Sequence, residues 1–256
     1  MSKVEDFRCY VRDYGVGTLT LNLGRRASQH ARYHRDRRRA HPPAFTWQGT
    51  ELHHFWHEYN RTWLSERALE IPIAREFLAG FTAESRGLEI GNVLGHYQAI
   101  GHRVVDKYER SPAVENIDVV DVTITEPLDF VIALSTLEHV GWDEPVRDVA
   151  KAPSALDHLR SLLRPDGGRL LLTAPLGHNP GLDARLLAPD SGAVSADIYV
   201  RDRRDRWEWV DRPEPWQIRY LYDLRSAGCL WVGQFESKSA PSSTDDDARR
   251  VDLSDS

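Results

Sequence analysis

Hydrophobic and polar positions repeat with two different periods along this chain, and the change of period marks its organisation. Thr18–Leu23 alternates polar and apolar residues after the turn-forming Asp13–Gly17, which predicts a hairpin within Phe7–Leu23. Leu52, Phe55, Trp56, Tyr59 and Trp63 recur at spacings of three and four, the apolar face of a helix. Pro72 interrupts that stripe and predicts a second helix over Pro72–Leu78, ended by Gly80. Residues 1–80 are thus expected to form a hairpin, a basic segment and a helical cap. Over residues 81–236 the pattern changes to short apolar strands separated by crossovers. Leu88 with Ile90, Val104-Val105, Ile117–Val120, Leu128–Ser135 and Arg169–Thr173 are the expected strands, with Ala174–Asp183 as a loop. Ser154 and Asp157 suggest a capping box for a helix that turns Leu156, Leu159, Leu162 and Leu163 inward. This alternation predicts an α/β fold with a parallel sheet. Ala196–Val200, Trp207–Val210 and Cys229–Glu236 add later strands and an antiparallel pair at the sheet edge. Ser237–Ser256 is polar, acidic and without aromatic residues, so residues 237–256 are expected to be a disordered tail.

Composition narrows the class. At 256 residues and 41% hydrophobic content, the chain can hold one large domain with additions. A net charge of −6 gives no phosphate-neutralising footprint, so no nucleic-acid partner is expected. No membrane-length apolar run or signal pattern is visible, and Cys9 and Cys229 form no metal or redox motif; a cytoplasmic protein follows as the expectation. His53, His54 and His57 lack an acidic partner nearby and read as a wetted face rather than a metal site. The arginine-rich Arg25–His41 reads either as a solvated connection or as a lid over an anionic substrate.

Candidate chemistry centres on Gly87–Tyr97. Leu88 and Ile90 suit a buried strand ending in Gly91, and Gly91 and Gly95 remove side chains that would keep a ligand from the backbone. The alternative is a purely structural turn. Asp106 follows the next strand, where an acidic residue meets a ribose hydroxyl in nucleotide-binding α/β folds. A dinucleotide turn requires Gly-x-Gly-x-x-Gly and a helix directed at pyrophosphate, whereas Asn92 occupies the second glycine position and little room for a helix remains. A ligand without pyrophosphate is favoured over NAD. The sulfonium of S-adenosylmethionine (SAM) suits a site edged with carboxylates such as Glu89 and Asp106.

Four segments carry a resemblance to a known family: Leu88–Gly95, Val104–Asp106, Leu128–Val140 with its Ser-Thr-Leu-Glu-His-Val ending, and Leu162–Thr173 with Pro165-Asp166-Gly167-Gly168. Over roughly Leu88–Glu236 the chain resembles the class I SAM-dependent methyltransferases. The resemblance implies a mostly parallel Rossmann-like sheet flanked by helices, with an antiparallel last strand. It also implies a SAM site in which Gly91, Asn92 and Gly95 face the methionine part and Glu89 supports them. Asp106 would meet the ribose, with Lys107 beside it among the cofactor-binding residues, Asp121 with Val122 the adenine, and Leu134 and Ser135 the methionine end. Ligands of open α/β sheets sit beyond the carboxyl ends of the strands, which nominates His139, with His178 in reserve, as the proton acceptor for a small-molecule hydroxyl. The Leu-Glu-His segment also looks like that of ubiquinone-type O-methyltransferases, whose Glu-x-x-Glu-His pattern is associated with a divalent ion. Ser135 stands where the first glutamate would be, so a metal is not expected.

Overall fold

Gln48 and Gly49 both take positive φ, 47° and 81°, the backbone of a two-residue turn whose twist matches the strands it joins. The turn pairs β1 (Ala44–Trp47) with β2 (Thr50–His53), bringing Phe45 opposite Leu52. Leu52 therefore lies on a strand, and Tyr59–Leu64 forms a short 3-10 segment interrupted by left-handed Asn60 and Arg61. The helix expected from the stripe Leu52 to Trp63 does not form, because hairpin pairing overrides the three-to-four spacing. In the computed structural model the described residues are 24, 27, 28, 30, 31, 33–35, 42–202, 206–218, 220, 221 and 226–238. The predicted hairpin over Phe7–Leu23 and nearly all of the acidic tail lie outside them.

The helix expected at Pro72 begins earlier, as α1 (Arg67–Leu78), with Pro72 in its interior. Proline cannot donate to the carbonyl of Ala68. Phe55 does so instead, its N–H lying 2.9 Å from that oxygen, so the cap's loop repairs the helix. Arg67, Glu70 and the apolar face of α1 are thereby held against the sheet.

Among the described residues, seven strands build the main sheet in the order β4-β3-β5-β6-β11-β7-β8. Here β3 is Gly87–Ile90, β4 Arg103–Val105, β5 Phe130–Leu134, β6 Arg169–Pro175, β7 Ser195–Arg201, β8 Trp207–Val210 and β11 Cys229–Glu236. The first four in that spatial order up to β6 run parallel, whereas β11 is antiparallel to both β6 and β7. A separate short pair, β9 (Tyr220–Leu221) with β10 (Ser226–Ala227), lies between β8 and β11 in sequence. The long strand Cys229–Glu236 is thus interior, and the hairpin β7–β8 forms the sheet edge.

Alternation sorts the strand side chains into two apolar layers. Leu88, Ile90, Val131, Ala133, Leu170 and Leu172 pack with α2 (Lys151–Ser161) and α3 (Pro180–Leu187), while Ile132, Leu134, Leu171, Leu230 and Val232 pack with α1. Two helix assignments change. α2 starts at Lys151, with Pro153 tolerated in its first turn and Ser154 inside the helix rather than at its cap. α3 occupies part of the expected loop after β6; Asn179 caps it by accepting the N–H groups of Gly181 and Leu182, and Pro180 opens it. The third strand expected at Ile117–Val120 is instead a 3-10 turn, Val119–Asp121, preceded by an isolated bridge between Val105 and Glu115. Its cause is local: the Asp118 carboxylate caps Val120 and is drawn to two lysines. Among the described residues, no helix is long and apolar enough to cross a membrane.

Candidate active site

A cavity of about 340 Å³ opens beyond the carboxyl ends of β3, β4 and β5, the position that parallel α/β sheets offer to ligands. Its floor is the glycine turn. Gly91 has φ of 80°, and a Cβ there would lie 2.4 Å from Thr136 Oγ1, so only glycine lets this turn approach the loop after β5. Glu89 does not line the cavity. Fully buried, it accepts the N–H groups of Val93 and Leu94 at 2.8 Å through one oxygen and meets His102 Nε2 at 2.8 Å through the other. Its work is to hold the turn from below. Asn92 lines the cavity and donates to Glu109, while its Oδ1 fills the space above Gly95 that a Cβ would enter, leaving Gly95 exposed and outside the lining.

Asp106 stands at the end of β4 and lines the cavity. One carboxylate oxygen accepts the N–H groups of Tyr108 and Glu109 at 2.7 Å; the other makes no hydrogen bond among the described residues. Lys107 also lines the cavity but is committed to Asp118 at 2.8 Å and Glu144 at 3.2 Å, a pair that Lys151 bridges as well at 2.6 and 2.7 Å. These carboxylates raise the pKa of Lys107 and keep it charged. Asp121 is exposed and Val122 is buried in the core, so neither reaches the cavity. Asp118 and Val119, three residues earlier, line it instead, with Ile117, Val105 and Val140 as apolar walls. The displacement follows from the 3-10 turn that replaces the expected strand.

At the other end, Leu134 is buried beneath the site while Ser135 lines it in a left-handed conformation, φ 42°. Such backbone is unfavourable for serine and persists only when neighbours enforce it. Here the Ser135 N–H meets Thr173 at 3.0 Å and its hydroxyl donates to the buried carboxylate of Glu70. Glu70 also accepts from Thr173 Oγ1 at 2.5 Å and from Arg67, whose Nη1 reaches the Leu134 carbonyl at 3.1 Å. Burial works against the charge of Arg67, yet Glu70 and Glu66 hold its pKa above the ordinary value. Arg67 and Asn60 line the cavity, and the sequence offered no pattern that would have singled out either.

His139 and Asp143 line this end, and His178 joins them from behind. Asp143 receives His139 Nδ1 at 2.6 Å and His178 Nε2 at 3.2 Å. Burial disfavours charge on His139, but the Glu138 and Asp143 carboxylates outweigh it and raise its pKa. His178 is shifted down by burial and by His139. Burial pushes the Glu138 carboxyl up to about 8. Asp143 follows His139 by four residues, the one signal in the sequence that would have found it.

No family model matches the sequence, and no curated protein does. Among solved structures the chain is similar to the N-methyltransferase NodS from Bradyrhizobium japonicum WM9, at 14% identity over 68% of this chain and 97% of that one, TM-score 0.40. It is also similar to an rRNA methylase from Streptococcus thermophilus, at 11% identity over 66% and 96%, TM-score 0.40. A third is the DhpI-SAM-HEP complex, at 18% identity over 69% and 90%, TM-score 0.34. Four parallel strands are continued by an antiparallel strand inserted before a final hairpin, with a glycine turn at the first parallel strand, so the chain has a mostly parallel, Rossmann-like sheet.

Proposed function

We propose that this chain binds SAM in the cavity and transfers its methyl group to an oxygen of a small molecule, a secondary metabolite or a sugar hydroxyl. The observation that carries this reading is the cavity itself: a slot floored by the Gly91 turn, which Glu89 pins from below, with Asp106 and apolar walls at one end and Ser135 at the other. Bound there, SAM supplies an electrophilic methyl carried on a cationic sulfur. The open oxygen of Asp106 suits a ribose hydroxyl, and Ile117, Val119 and Val140 suit the faces of an adenine. Asp106, Glu109, Asp118, Asp143 and Glu144 against Arg67 and Lys107 leave the lining acidic, which favours a cation over a phosphate.

Most of the rate then comes from positioning, since holding acceptor and donor in line supplies on the order of 7–11 kcal/mol. The chain contributes by orienting Ser135 and Arg67 rigidly and by placing His139, with Asp143 on its Nδ1, on the side where the acceptor's proton leaves. His139→Ala is expected to lower turnover roughly a hundredfold or more while SAM affinity changes little. Near-normal turnover in that variant, measured with labelled SAM and a metabolite pool, removes His139 from the chemistry.

Calorimetry tests the cofactor. The chain is expected to bind SAM and S-adenosylhomocysteine and not NAD, and Asp106→Ala to weaken SAM by about 1–3 kcal/mol through a lost charge-assisted hydrogen bond. Equal affinity for NAD, or no effect of Asp106→Ala, counts against this site.

A further inference from the structure

We propose that His139, Asp143 and His178 form a binding site for a divalent transition-metal ion at the acceptor end of the cavity. Only the ion's role in the reaction rests on the methyl-transfer reading; its binding does not. One donor atom from each residue lies within 4.8 Å of the other two. His139 Nδ1 is 2.6 Å from Asp143 Oδ2, and His178 Nε2 is 3.2 Å from both oxygens of Asp143. Donors about 2.0–2.2 Å from one ion stand about 3 Å apart, so the separations about Asp143 are already close to those of a shared ligand set. The side chains of His139 and Asp143 are 44% and 48% exposed and have room to adjust.

Glu138 supplies the independent observation. Its side chain is 1% exposed, Oε1 lies 3.5 Å from His139 Nε2, and Oε2 has no hydrogen-bond partner among the described residues. A metal-bound histidine usually gives its second ring N–H to a carboxylate, which fixes tautomer and ring orientation. His139 is arranged in that way, with Nδ1 toward Asp143 and Nε2 toward Glu138. A cation in front of His139 would add to Arg67 and a backbone N–H in offsetting the cost of burying this carboxyl, whose Oε2 is left without a hydrogen-bond partner among the described residues. Asn179 stitches the two ligand-bearing loops together, donating to the carbonyls of Glu138 at 3.1 Å and Val140 at 3.2 Å from a position next to His178.

Two imidazoles and one carboxylate select zinc, manganese or ferrous iron over magnesium, which prefers oxygen ligands alone, and they leave coordination positions open toward the cavity. There the ion acts as a Lewis acid on the acceptor. With the ion bound, His139 serves as its ligand rather than as the proton acceptor: the acceptor hydroxyl gives its proton to water, its oxygen lone pair forms the new O–CH3 bond, and the S–CH3 bond breaks with its electrons retained by sulfur. No oxidant or reductant is consumed. The Glu-x-x-Glu-His comparison does not reveal this site, because His178 comes from a different loop and Glu138 stands behind the ligands.

The test uses the full chain, stripped with EDTA and titrated with Co2+ by absorbance and with Zn2+ and Mn2+ by calorimetry, with and without S-adenosylhomocysteine. A single ion is expected to bind. Asp143→Asn, His178→Gln and Glu138→Gln are each expected to weaken it by roughly tenfold to a hundredfold. Asp143 is half exposed, so Asp143→Asn should keep its melting temperature. Failure of the wild-type chain to take up any of the three ions at millimolar concentration overturns the proposal, as does unchanged ion affinity in Asp143→Asn. If no ion binds while Asp143→Asn still loses turnover, the three residues are a proton relay and the methyl-transfer reading stands. If ions bind but S-adenosylhomocysteine does not, the metal site stands and the methyl-transfer reading falls.

Discussion

Gly91→Val is expected to weaken SAM binding by roughly a hundredfold or more, a loss of about 2.7 kcal/mol. Two costs combine at this position. A β-branched residue is poorly accommodated at φ of 80°, where even an unbranched side chain is strained by about 1–3 kcal/mol. Its Cβ would also lie 2.4 Å from Thr136 Oγ1, which is itself tied to the Leu134 carbonyl at 3.0 Å. The clash is therefore with the protein rather than with a ligand, and it forces the turn away from the loop that carries Ser135. The variant should lose affinity in calorimetry together with some thermal stability, and Gly91→Ala should do the same to a smaller degree. Wild-type affinity in Gly91→Val would show that the turn is not part of the site.

The second large effect is expected at Glu70, which does not line the cavity. Its carboxylate is fully buried and collects Arg67, the Ser135 hydroxyl and Thr173 Oγ1. Glu70→Ala leaves the Arg67 guanidinium without its ion-pair partner and two hydroxyls without an acceptor. Breaking a buried pair from one side costs about 3–5 kcal/mol, and because the Arg67 side chain is 19% exposed and keeps some water, the lower end applies, about 3 kcal/mol. For a chain of this size the melting temperature should fall by roughly 6–12 °C. Glu70→Gln retains an acceptor oxygen and should recover part of the loss. Denaturant melts that place Glu70→Ala within about 0.5 kcal/mol of wild type would mean that the network contributes nothing measurable.

The sequence by itself determined the parallel half of the sheet. Leu88–Ile90, Leu128–Ser135 and Arg169–Thr173 are apolar enough to be buried on both faces, and they appear as β3, β5 and β6 in the order expected of an α/β fold. Gly91, Asp106, Ser135 and His139 were also legible, because their positions follow from where those strands end. Tertiary structure decided the rest. The aromatic stripe after Leu52 carries a helical period, yet the left-handed pair Gln48-Gly49 closes a hairpin there, and no count of spacings weighs that turn against the stripe. Asp118 displaces Asp121 from the cavity because Lys107 and Lys151 converge on it from 11 and 33 residues away, a contact invisible to any local pattern. Glu70, Ser135 and Thr173 are 65 and 103 residues apart in sequence and share one buried carboxylate. His139 and His178 likewise meet across Asp143 only once β5 and β6 lie side by side. Short-range periodicity is written in the chain because strands and helices repeat every few residues, whereas a site is assembled from single residues whose neighbours exist only after the sheet has formed.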